Sequence, residues 1–177
     1  PIKNFILDVA HDRFLEILIY GLVLSSPQEA YDAKELYRLI GDPFLDSLIS
    51  IGTEKANRIT DLFKKYVFQT KVQKTLVDLG DLAVERLKAK AEEASVRGEV
   101  NPSLIELMGY LKKENLMEAI SPFLNFKDPL VRRAAILALS EIANDKSRAL
   151  LSFVVKNEKD KGLRSLAAEQ LKKIQGG

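Results

Sequence analysis

The stretch DPLVRRAAILALSEIAND, residues 128–145, recurs in weakened form 32 residues later, and this recurrence constrains the fold more than any other feature. Under the shift Asp128 falls on Asp160, Val131 on Leu163, Arg132 on Arg164, Ala135 on Ala167, Leu139 on Leu171 and Ile142 on Ile174. A shorter closing pattern, apolar-x-x-apolar-small, recurs more widely. It appears at Leu48/Ile51/Gly52, Leu76/Leu79/Gly80, Ile105/Met108/Gly109 and Leu139/Ile142/Ala143, and last at Leu171/Ile174, where Gln175 replaces the small residue. The second apolar residues stand at 51, 79, 108, 142 and 174, at spacings of 28, 29, 34 and 32. A period near thirty made of two helices points to an α-solenoid, whose units bury their apolar faces against one another.

The local chemistry of residues 128–143 explains why stacking is needed. Asp128 suits the N-cap and Pro129 the first helical turn. Val131, Ala135, Ala138, Leu139 and Ile142 form one apolar face, and Leu130, Ala134 and Leu137 continue it round the side. A helix apolar over so wide an arc must be covered on more than one side, and the alanines permit close approach.

Elsewhere apolar residues recur at intervals of three and four, with no clean alternation. The reading is all-α, with about eleven helices. The first covers roughly 3–24. Ser25–Pro27 starts a second that ends at Gly41, and Asp42-Pro43 starts a third that ends at Gly52. Thr53 caps a fourth with the stripe Ala56, Ile59, Leu62 and Phe63. The remainder cover about 70–79, 81–96, 102–111, 114–125, 128–143, 147–157 and 161–174.

The stretch 128–145 with its preceding NLMEAISPFLNFK, and KDKGLRSLAAEQLKKI with its preceding SRALLSFVVKNE, resemble the HEAT repeats, especially their short bacterial and archaeal form. LVDLGDLAVERLKA, residues 76–89, looks like a junction between two such units. The resemblance implies a right-handed α-α superhelix, one α-helical domain over 1–177. HEAT-like repeats would occupy 44–177, and an N-terminal cap or degenerate repeats 1–43. It also implies that Asp128, Arg132, Asp160 and Arg164 form a structural ladder between repeats, and that second helices line a concave surface.

Composition narrows the chemistry. The chain has no cysteine, which removes disulfides, zinc thiolates and cysteine nucleophiles together. Its one histidine, His11, leaves the His11-Asp12 pair without the further histidines that a metal-dependent phosphohydrolase needs. No metal, cofactor or catalytic residue is expected, and Glu92/Glu93 and Glu114/Glu118 read as solvated pairs rather than acid–base dyads. With 27 basic and 25 acidic residues the net charge is +2, unlike a dedicated nucleic-acid binder. The most apolar run, 14–24, is too short to span a bilayer and holds Glu16. Asp8, Asp12 and Glu16 do not suit a signal peptide. A cytoplasmic protein is expected.

The expected function is that of a non-enzymatic scaffold binding another protein or peptide through the concave surface. The alternative is a nucleic-acid-binding solenoid, because basic residues outnumber acidic ones on the second helices. The candidate partner-binding residues are Lys71, Lys74, Arg133, Lys172 and Lys173. Arg132 and Arg164 are assigned to the ladder instead. The early aromatics Phe14, Tyr20, Tyr31, Tyr37 and Phe44, and then Phe63, Tyr66 and Phe68, read as core.

Overall fold

A computed structural model describes residues 33–55 and 62–175. Among them are nine α-helices and no strand. The chain falls into two compact units that divide between Arg86 and Leu87.

The described part of the first unit begins with α1 (Ala33–Ile40) and α2 (Asp42–Ser50). Gly41 joins them at φ 81, a conformation open to glycine, and its amide donates to the Tyr37 carbonyl to close α1. A π-helical turn, Ile51–Lys55, follows α2 directly, and α3 spans Leu62–Leu79. Phe44, Leu45, Leu48, Ile51, Val72 and Leu76 are buried core residues of this unit. The fourth helix, α4 (Asp81–Arg97), opens here, after Gly80 has ended α3 in the left-handed conformation. The Arg86 guanidinium forks onto both carboxylate oxygens of Asp46 at 2.6 Å, tying α4 to α2.

The second unit takes the remainder of α4 and then α5 (Pro102–Tyr110). A 3-10 turn (Glu114–Leu116), the short α6 (Met117–Ile120) and another 3-10 turn (Ser121–Asn125) follow in one bent run. The unit is completed by α7 (Pro129–Ile142), α8 (Asp145–Asn157) and α9 (Lys161–Gln175). Helices α5, α7 and α9 pack each on the next, while the bent run packs on α7 and α8 on α9. This is the layered packing that the 32-residue shift implies. Val131, Ala134, Ala135, Ile136, Ala138 and Leu139 are all buried.

The caps fall where side-chain chemistry favours them. Asp128 accepts from the Leu130 amide at 2.8 Å, Asn144 from Ser147 at 2.9 Å and Asp160 from Leu163 at 3.0 Å. Ala143 closes α7 at φ 55, its amide donating to the Leu139 carbonyl.

Several expectations need correction. The count of eleven helices is not borne out: nine lie among the described residues, where 62–79 is one continuous helix. Gly52 does not end α2: helical bonding runs through it and Thr53, and its φ is not positive. The span 114–125 is not one regular helix, because Pro122 supplies no amide proton and clashes with the preceding turn, so α6 stops at Ile120. Leu130 does not extend the buried face of α7; it is 62% exposed in the first turn. The helix expected at 3–24, the cap at 25–27, most of segment 1–43, His11, Phe14, Tyr20, Tyr31, Ala56 and Ile59 lie outside the described residues, as do the side chains of Leu62, Phe63, Tyr66 and Phe68.

Gly109 has a different task from the one its place in the closing pattern suggests. It sits inside α5, and Lys112 makes the left-handed turn at φ 52. A Cβ added at Gly109 would press into the Ala138 backbone and lie 2.7 Å from the Ala138 Cβ. The glycine is where α5 meets the α7 backbone without a side chain between them. Gly109→Ala should therefore cost about 2–3 kcal/mol, near the top of the overpacking range, despite alanine's better helix propensity. Adding Ala138→Gly should restore only part of this in urea unfolding, since that change removes the methyl but leaves the α7 backbone in the way.

Candidate functional site

Two features of the second unit bear on function: a clasp between its last two repeats, and an open groove. The clasp centres on Arg132. Its Nη1 donates to the Phe126 and Lys127 carbonyls at 2.9 and 3.1 Å. Its Nε and Nη2 donate to the two carboxylate oxygens of Glu158, at 2.9 and 3.3 Å. Arg164 repeats half of this arrangement one period on, its Nη1 donating to the Glu158 and Lys159 carbonyls at 2.6 and 3.0 Å. Each arginine thus satisfies carbonyls of the turn before its own helix, and Glu158 is shared. Its carboxylate meets the preceding repeat and its carbonyl meets Arg164. Burial alone would raise the Glu158 carboxyl pKa, but the Asp160 amide and the Arg132 guanidinium outweigh this and hold it below the ordinary value.

Asp128 and Asp160, the acids that the resemblance placed in the ladder, cap their own helices, as the sequence led one to expect for Asp128. Glu158 was missed. Its counterpart 32 residues earlier is Phe126, so no shifted copy points to it.

The five basic candidates are divided between the two units. Lys71, half-buried, and Lys74, exposed, lie on α3 in the first unit; Arg133, on α7, and Lys172 and Lys173, in the last turn of α9, are exposed in the second. Lys173 pairs with Glu169 at 2.8 Å, and this bond holds the Glu169 carboxyl below its ordinary pKa. Arg133 and Lys172 make no ion pair among the described residues. Glu114 pairs with Lys146 and Glu93 with Arg97, at surface separations of 3.6 and 3.9 Å.

The groove, of about 380 Å³, was not foreseen. One wall is the α4 stripe Lys88, Ala91, Glu92, Ser95 and Val96, spaced at i, i+3, i+4, i+7 and i+8 on a single helix face. The facing wall is the bent run, with Asn115, Glu118, Ala119, Pro122 and Phe123. Ala91 and Phe123 are buried and form its apolar floor, while Val96 is 84% exposed. The small side chains of Ala91, Ser95 and Ala119 leave the hollow, and the kink at Pro122 shapes its far side. A sequence signal existed, in that α4 carries small residues where a packed helix would carry leucine. Nothing in the sequence told which segment would face them.

Among the described residues, no group of three or more His, Cys, Asp or Glu is placed to hold a metal, and no helix is long and apolar enough to cross a membrane. Comparison with family models matches HEAT repeats over residues 83–172, just over half of the chain. The protein belongs to the HEAT-repeat family. That membership makes residues 83–172 an α-α solenoid of a kind that is typically a protein-interaction scaffold and generally non-catalytic. No curated protein and no solved structure matches the chain.

Proposed function

We propose that this HEAT-repeat protein is a non-catalytic scaffold that binds a segment of another protein, with the groove between α4 and the bent run as its docking site. The observation that supports this reading is the groove itself: an apolar floor and a largely exposed Val96, lying between elements of two successive repeats. A cleft with an apolar floor suits anchoring side chains. The groove lies beside the first helices of the repeats, not on the second helices where the sequence directed attention.

Site-specific photo-crosslinking tests the reading. A benzophenone amino acid placed at Val96 in the full chain should give discrete protein adducts in a cell lysate, and one at Arg133 should give fewer. Adducts to nucleic acid alone would count against a protein scaffold. They would favour the alternative reading, in which Lys71, Lys74, Arg133, Lys172 and Lys173 contact phosphates. In that case retention on DNA would fall steeply between about 50 and 200 mM salt.

A further inference from the structure

Resting on the scaffold reading, we infer that the groove selects a basic amphipathic partner segment: a bulky apolar side chain over Ala91 and Phe123, flanked by Lys or Arg. The argument is one of charge complementarity around an apolar floor. Glu92 comes to the rim from α4 and Glu118 from the bent run, so carboxylates stand on opposite walls. Both are exposed, and neither forms an ion pair among the described residues. Their neighbours do: Glu93 meets Arg97 and Glu114 meets Lys146. Of these four acids, the two without an ion pair are thus the two that line the hollow. Lys88, the cation on the rim, has an interaction of its own.

The dimensions limit the partner to a short segment. From Lys88 to Val96 the α4 wall runs about 12 Å at a helical rise of ~1.5 Å per residue. That matches roughly two turns of a partner helix, in which an apolar anchor and a lysine three or four residues away share a face. Exposed carboxylates add discrimination and association rate more than affinity. The apolar floor supplies the anchor, and the acids choose among the segments that carry one.

A phage-displayed library of random twelve-residue peptides, selected on the full-length chain, tests this. Enriched peptides should carry a large apolar residue with Lys or Arg three or four positions away. Synthesised with a fluorescent label, they should lose about tenfold in affinity towards the Glu92→Gln, Glu118→Gln double variant, two rim pairs acting together. They should lose binding to Ser95→Trp, which fills the groove from an exposed position. Unchanged circular dichroism melting of these variants confirms that the fold persists. Enrichment of acidic or neutral peptides, equal binding to Ser95→Trp, or no enrichment would overturn the proposal. A dimer that Ser95→Trp dissolves would do so as well, since it would assign the groove to a second copy. The scaffold reading fails separately: if lysate proteins still crosslink at Val96 but selected peptides are not basic, only the partner chemistry is wrong.

Discussion

Leu139→Asp should unfold the second unit, whereas Leu130→Asp, nine residues away on the same helix, should leave it nearly unchanged. Leu139 is fully buried and Leu130 is 62% exposed. Truncating a buried leucine costs about 2–5 kcal/mol through lost transfer energy and the cavity left behind. Aspartate adds a carboxylate that must be desolvated or protonated to remain there. The sum exceeds about 5 kcal/mol, comparable with the entire stability of many domains. At Leu130 the replacement stays in water within the first turn of α7, where a negative charge suits the helix dipole, so the change should be within about 0.5 kcal/mol. Thermal melts followed at 222 nm distinguish the two. Equal melting of both variants would mean that the face assigned as core is not the one buried.

The contrast also shows what the sequence made legible. The periodic face Val131, Ala135, Ala138 and Leu139 was readable because burial against two neighbours demands apolar residues at helical spacing. The cap at Asp128 was readable because few residue types satisfy free amides. Leu130 was misplaced because a leucine at the edge of an apolar arc carries no mark of which side faces solvent. The task of Gly109 was not legible for a related reason. A small residue after an apolar pair fits both a left-handed cap and a close helix crossing, and only the position of Ala138 decides between them.

The groove and Glu158 were not legible, because each depends on pairing elements distant in sequence. Ala91, Ser95 and Ala119 are ordinary helix residues until α4 and the bent run are placed side by side. Glu158 is an ordinary turn acid until Arg132, 26 residues earlier, reaches it. Local pattern predicts which faces are buried. It does not predict where two faces leave a hollow, or which acid a repeated arginine meets.

Arg132→Ala should be the second most damaging change, at about 3 kcal/mol. The Arg132 and Glu158 side chains are 18% and 8% exposed, so removing the guanidinium leaves a largely desolvated carboxylate without its cation. Breaking such a pair costs about 3–5 kcal/mol, and the lower end applies because the arginine keeps some contact with water. The carbonyls of Phe126 and Lys127 lose a donor at the same time. Arg132→Lys should recover only part of the loss, since one ammonium cannot span both carbonyls and fork onto the carboxylate. Acid dependence separates the ionic part from packing. The Glu158 carboxyl is held below its ordinary value of 4.5, so the unfolded chain takes up its proton first as pH falls. The stabilisation is therefore complete above about pH 5 and is lost as pH falls from there through the lowered native value. In urea titrations the gap between the native chain and Glu158→Gln should be constant from pH 7 to 5 and should narrow below about 4.5. A gap that stayed constant down to pH 3 would show that the pair holds the repeats by shape alone, and that the charge on Glu158 contributes nothing to joining them.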